Sequence, residues 1–173
     1  MNQVASFILN ILQGHGAFVK EASLIAYGDD FVSFPDEKDL LRAHLVVELI
    51  ETYRYPPESL VVGAYVPITY NGIAFTEIDL IVHNAARQPF ILIAVEQVRY
   101  YEQRLEETVR KLFAVAILMR QKSPPRYLAY YTRWYEGERR IVRKMVIDYS
   151  KYQTFYAWHE ASRPIVSDIP SNG

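Results

Sequence analysis

The sequence predicts an α/β sandwich built on a mixed sheet, and three observations carry that reading. An amphipathic segment ends at Pro56-Pro57. A meander rich in Val, Ile and Tyr follows it. A second, longer amphipathic segment then separates the meander from two more strand-like runs.

The first helix is expected to open near Pro35, with Ser33 or Phe34 at its boundary. Asp36, Glu37 and Asp39 then fall in its first turn, where acidic groups complement the helix dipole. Leu41, Leu45, Leu49 and Thr52 recur at i, i+4 and i, i+3, and Val46, Ile50 and Tyr53 widen the apolar face. Pro56-Pro57 stops the helix, because proline lacks the N–H that a continuing turn needs. Leu60 to Thr69 reads as a strand, Asn71-Gly72 as a hairpin turn, and Ile73 to His83 and Phe90 to Val98 as the next two strands. Tyr100 to Gln121 reads as one long helix with a stripe of Leu105, Val109, Leu112, Phe113, Ala116 and Met119. Glu106 with Arg110 and Glu107 with Lys111 form i, i+4 pairs on its wet side. Beyond Pro124-Pro125, two strands near 127–134 and 140–149 flank Tyr135-Glu136-Gly137-Glu138, and a short helix or strand closes the pattern. The expected organisation is a single domain over 1–163, with residues 1–33 as an N-terminal helical extension and 164–173 as a loose polar tail.

Half of the 173 residues are hydrophobic and 14 are Tyr, a composition that suits a packed domain and excludes a disordered one. There is no Cys, which removes disulfides, thiolate metal sites and cysteine nucleophiles and suits a reducing cytoplasm. No apolar run reaches transmembrane length. The segment from Met1 to Leu12 lacks the basic start of a signal peptide and is interrupted by Asn10, so it reads as a docking helix. Net charge is −1, yet residues 1–86 hold 4 Lys/Arg against 11 Asp/Glu, and residues 87–173 hold 15 against 9. That asymmetry fits either a basic face for phosphates or two halves that complement each other.

Thr76 to Gln97 carries the candidate chemistry. Asp79 and Glu96 are single acids on two apolar strands that face each other, so their carboxylates repel unless a cation, a proton or a basic group intervenes. A divalent-metal phosphodiesterase site has this form. Glu77 shares the Asp79 face by alternation, and Gln97 is a polar neighbour of Glu96. The bland alternative is an acidic pair bonded to Arg or Tyr. Lys20 and Lys111 are the two lysines placed to serve such a site from elsewhere, with surface solvation as their alternative. The four His lack metal-ligand spacing. Arg140, Arg143 and Lys144, together with Arg126, Arg133 and Arg139 and interleaved with Tyr127, Tyr130, Tyr131 and Trp134, fit a nucleic-acid backbone; they also fit an ordinary two-faced hairpin.

Four stretches carry a family resemblance: Phe34-Pro35-Asp36-Glu37 with Arg42; Tyr55-Pro56-Pro57-Glu58-Ser59-Leu60; Ile78-Asp79-Leu80-Ile81-Val82; and Gln88-Pro89-Phe90-Ile91-Leu92-Ile93. In their order and spacing the chain resembles the N-terminal nuclease-like domain of type I restriction enzyme R subunits, within the PD-(D/E)XK nuclease superfamily. The resemblance implies a restriction-endonuclease-like sandwich: a central mixed sheet of an antiparallel meander, a long helix and two further strands, flanked by helices. It also implies Mg²⁺ held by Asp79 and Glu96 if the domain is active, and DNA as partner. The family's Glu-x-Lys falls on Ala94-Val95-Glu96, its first-strand Glu on Ala64, and its Gln-x-x-x-Tyr near Val109 or Arg110 and Phe113. By alternation Leu92, Ala94 and Glu96 share one face, so Ala94 leaves a gap where a ligand belongs. The expected function is therefore a catalytically degenerate nuclease-like module for nucleic-acid binding or assembly. The alternatives are an active Mg²⁺-dependent endonuclease using Asp79, Glu96, Gln97 and Glu77 in a rearranged site, and a protein-interaction module, as a homodimer or with a partner protein, without a nucleic-acid role.

Overall fold

The computed structural model describes residues 26–27, 30–31, 37–67, 75–120 and 122–172, in two compact units. The expected start of the first helix, Lys20, the Asn71-Gly72 turn and most of the N-terminal extension lie outside the described residues.

The first unit joins the chain up to Glu58 with residues 170–173. Its described N-terminal part is a hairpin and not a helix: β1 (Ala26–Tyr27) runs antiparallel to β2 (Asp30–Phe31). Helix α1 (Glu37–Glu51) follows, with Glu37 and Asp39 in its first turn. It buries Leu41, Leu45, Val46 and Leu49, the stripe that the sequence spacing marks. Arg42 is buried too, and its charge is met by Asp39 at 3.0 Å, one turn back. Past the helix, Tyr55 donates its hydroxyl to the Pro170 carbonyl at 2.6 Å, and the Asn172 N–H donates to the Tyr53 carbonyl at 2.8 Å.

The second unit, Ser59–Ile169, is built on a five-stranded mixed sheet. Strands β3 (Leu60–Pro67), β4 (Phe75–His83), β5 (Pro89–Val95), β6 (Tyr127–Glu136) and β7 (Arg139–Asp148) lie side by side in chain order. All neighbours are antiparallel except β5 and β6, which are parallel and joined by a helical crossover. Ile91 to Val95 are all buried, which explains why β5 reads as a continuous apolar run without alternation. The β4–β5 turn is locked by Asn84, whose Oδ1 accepts the N–H groups of Ala86 and Gln88, both at 3.0 Å. The β6–β7 turn depends on Gly137, at φ 62°, a backbone region in which a side chain is strained.

The predicted long helix is interrupted. It forms a short α2 (Val98–Tyr101), a turn at 102–104, and α3 (Leu105–Met119). The physical cause is that two side chains at the junction have partners on the sheet. Tyr101 stacks on Tyr130 of β6, and Arg104, at φ −98° and ψ 2°, reaches back to Glu96. Helix α3 then lays Val109, Leu112, Phe113 and Ala116 into one core with Leu92, Leu128 and Ile147. Glu106 pairs with Arg110 as expected, at 3.0 Å, whereas Lys111 turns to the sheet.

The stretch from Pro164 is not a loose tail. Helix α4 (Phe155–Glu160) is capped by Thr154, whose Oγ1 accepts the Ala157 N–H at 3.0 Å, and it places Trp158 fully in the core beside Phe113. The Trp158 indole donates to the Pro164 carbonyl at 2.9 Å, Val166 bridges to Val146 of β7, and Ile169 is buried. Polar composition misleads here, because the tail is held by main-chain bonds and two or three apolar side chains. Among the described residues no helix is long and apolar enough to cross a membrane.

Candidate active site

Asp79 sits on β4 where the register pairs with β5 stop, the last of them being Leu80 with Ile93. It is buried, and its Oδ2 accepts the Val95 N–H at 2.9 Å. The carboxylate thus replaces a ladder carbonyl and holds β4 to β5. Ile78 and Ile81, three residues apart, both belong to the core that contains α3, so strict alternation is broken at this point. Opposite, on β3, Gly63 takes φ 65°, and a Cβ there would come within 3.2 Å of the Glu77 Oε1.

Glu96 lies just past the end of β5, fixed by its own N–H to the Tyr131 carbonyl at 3.0 Å. Both of its carboxylate oxygens have partners: Oε1 accepts the Gln97 N–H at 2.9 Å, and Oε2 accepts Arg104 Nη1 at 3.0 Å. The carboxylate is buried while the guanidinium is half exposed and lies 4.5 Å from the Tyr100 ring centre. The bond to Glu96 raises the already high pKa of Arg104. The intervening basic group that the facing acids call for is therefore Arg104, for Glu96 at least. Gln97 precedes α2, and its Oε1 accepts Arg99 Nε at 2.8 Å. Val95, whose N–H binds Asp79, is the neighbour of Glu96, so the structure places the two acids at one end of β5.

Glu77 is partly buried on β4, opposite Tyr65, and its carbonyl accepts the Lys111 ammonium at 2.7 Å. Lys111 thus reaches the sheet two residues from Asp79. Ala64 lies opposite Ile78, and Ala94 is buried opposite Tyr130. The gap expected at Ala94 is closed by rings. Tyr101 and Tyr130 stack at 4.2 Å between centres and 7° between planes, and each donates its hydroxyl to the other's carbonyl, at 3.1 and 3.0 Å. Burial pushes the Tyr130 phenol up to about 12 and raises Tyr101 as well. Among the described residues no group of three or more His, Asp or Glu stands together as a metal nest.

The basic residues of the β6–β7 ribbon are not brought onto one face. Arg140 pairs in register with Tyr135 and Lys144 with Tyr131, whereas Arg143 pairs with Thr132, so Arg143 points the opposite way from the other two. Arg143 forms an ion pair with Glu102 and lies over the Tyr101 ring at 5.3 Å, and Lys144 pairs with Asp168 at 2.6 Å. Of the interleaved aromatics, Tyr130 and Tyr131 are buried in the core.

Sequence reasoning missed Arg104 and the Tyr101–Tyr130 pair. The spacing of eight residues between Glu96 and Arg104 carries no motif; the one available signal was a Tyr-rich helix start beside a Tyr-rich strand. No protein-family model matches this chain, and no curated protein matches it.

Proposed function

We propose that this chain is a restriction-endonuclease-like domain whose metal site has been turned over to structural bonding, and that it serves as a binding or assembly module. The order of elements supports the fold reading: a helix, three antiparallel strands, a helical crossover and a strand parallel to the third. One observation carries the functional reading. Both acids already serve the fold: Asp79 Oδ2 accepts the Val95 N–H, and the two oxygens of Glu96 accept the Gln97 N–H and Arg104, so a magnesium ion would have to share or displace these bonds. The motif position two residues before Glu96 is Ala94, buried in register with Tyr130. The ribbon cations are divided between two faces and two of them are paired, which weighs against a single basic face for nucleic acid, and the role we propose is assembly with protein.

Calorimetric titration with Mg²⁺ and Mn²⁺, and a cutting assay on supercoiled DNA, test this directly. The expected result is no saturable metal binding and no cleavage. Metal-dependent cutting that disappears in Asp79→Ala would overturn the proposal. Light scattering at low salt is expected to show a stable oligomer or partner complex, and a salt-sensitive shift with DNA would redirect the role to nucleic acid.

A second reading, an active endonuclease with a rearranged site, is favoured by the bond from Lys111 to the Glu77 carbonyl, which brings an ammonium to β4 near Asp79. That reading requires Lys111→Ala to abolish cutting as completely as Asp79→Ala does.

A further inference from the structure

Away from Asp79 and Glu96, a cavity of about 450 Å³ opens where α3 ends and β7 finishes. Its walls include Arg120, Pro124, Pro125, Arg126, Tyr149 and Ser150. Arg120 caps α3, with its N–H on the Ile117 carbonyl. The main chains of Arg126 and Tyr149 are locked to the sheet and to each other. The Arg126 N–H donates to the Phe90 carbonyl at 2.9 Å, and its carbonyl accepts the Tyr149 N–H at 2.8 Å. The Arg126 guanidinium lies 5.3 Å from the Tyr127 ring centre. Among the described residues neither Arg120 nor Arg126 has a carboxylate partner. The nearby acid, Asp148, accepts the Ser150 N–H at 3.0 Å and the Ser150 hydroxyl at 2.5 Å, both on Oδ1.

The decisive feature is the Tyr149 hydroxyl. Tyr149 is 2% exposed, its ring lies 6.0 Å from that of Phe113, and its hydroxyl is buried without a hydrogen-bond partner. A buried hydroxyl without a partner loses its bonds to water and gains nothing in return, so such groups are uncommon unless an ordered water, an ion or a ligand completes them. Tyr149 lines the cavity together with Arg120 and Arg126; burial raises its phenol pKa, and the Arg120 cation opposes that rise.

The geometry points to an organic-phosphate site here, sized for a mononucleotide, with Arg120 and Arg126 on the phosphate, Tyr149 donating its hydroxyl to it, and Pro124 and Pro125 against the apolar body. Two guanidinium forks and a neutral donor match the charge and oxygen count of a phosphate monoester, and the cavity falls within the range of small-ligand sites. The site does not depend on the proposed function, because it shares no residue with the β4–β5 acids.

Calorimetry on the full chain with inorganic phosphate, AMP and adenosine tests the assignment. AMP is expected to bind more tightly than phosphate, and adenosine not to bind. Arg126→Gln is expected to weaken AMP about tenfold, as for loss of a charge-assisted bond. Tyr149→Phe is expected to weaken it several-fold while Tm holds or rises, since the hydroxyl it removes has no partner in the fold. A 5′-phosphorylated oligonucleotide that outcompetes AMP assigns the pocket to a strand end; a weaker one assigns it to a free nucleotide. Absence of binding by both phosphate and AMP at millimolar concentration, equal binding of adenosine, or unchanged AMP affinity in both variants overturns the proposal.

Discussion

Asp79 uses its carboxylate as a backbone acceptor, and this separates a structural acid from a metal ligand by experiment. Removing the carboxylate in Asp79→Ala strands the buried Val95 N–H, which costs about 1–3 kcal/mol. Asp79→Asn keeps a carbonyl acceptor and is expected to cost less, both read from urea midpoints without added metal. An acid held in place for a missing cation behaves in the opposite sense, since its removal relieves repulsion. A stability gain in Asp79→Ala would therefore refute the structural role. That Asp79 stands as a single acid on an apolar strand was legible in the sequence. Its partner was not, because alternation predicts which way a side chain points only while the ladder is regular. Here the ladder is broken beside a left-handed Gly63.

Between elements, the Tyr101–Tyr130 pair fastens α2 to β6 through two hydroxyl-to-carbonyl bonds. Burial raises both phenols, Tyr130 to about 12, so the folded state favours their neutral form. In the unfolded chain a phenol ionises near pH 10. The stability that this pair contributes is therefore complete below about pH 10 and falls as pH rises toward 12, since the unfolded state then binds fewer protons. Ultraviolet titration is expected to show these phenols ionising together with loss of structure. Smooth ionisation near pH 10 in a still-folded protein would contradict it. Strand and helix types were legible from α1 to β7, though not in the N-terminal hairpin, because β-branched runs and i, i+4 stripes report burial directly. The break at 102–104 was not, since the periodicity of Leu105 to Met119 extends back through it. What stops the helix is long-range: a ring taken by β6 and a guanidinium taken by Glu96.

Across the whole molecule, composition suggested one domain with a loose end, and the contacts divide it otherwise. Residues 59–169 hold together around the sheet, and the closing residues 170–173 belong with the unit that contains α1. Sequence carries little trace of this, because the ties at Pro170 and Asn172 involve main-chain atoms that every residue possesses. The sheet itself carries a kinetic consequence. Ten residues of β6 pair with ten of β7 across a two-residue turn, whereas β6 reaches β5 only after the whole span 96–126 has been closed. Loop-closure entropy makes the second joining costlier by about 2 kcal/mol, so the ribbon is expected to nucleate first and its docking on β5 to limit the folding rate. Pulse-labelled amide exchange that protected Ile91 to Val95 ahead of Tyr127 to Glu136 would reverse that sequence of events.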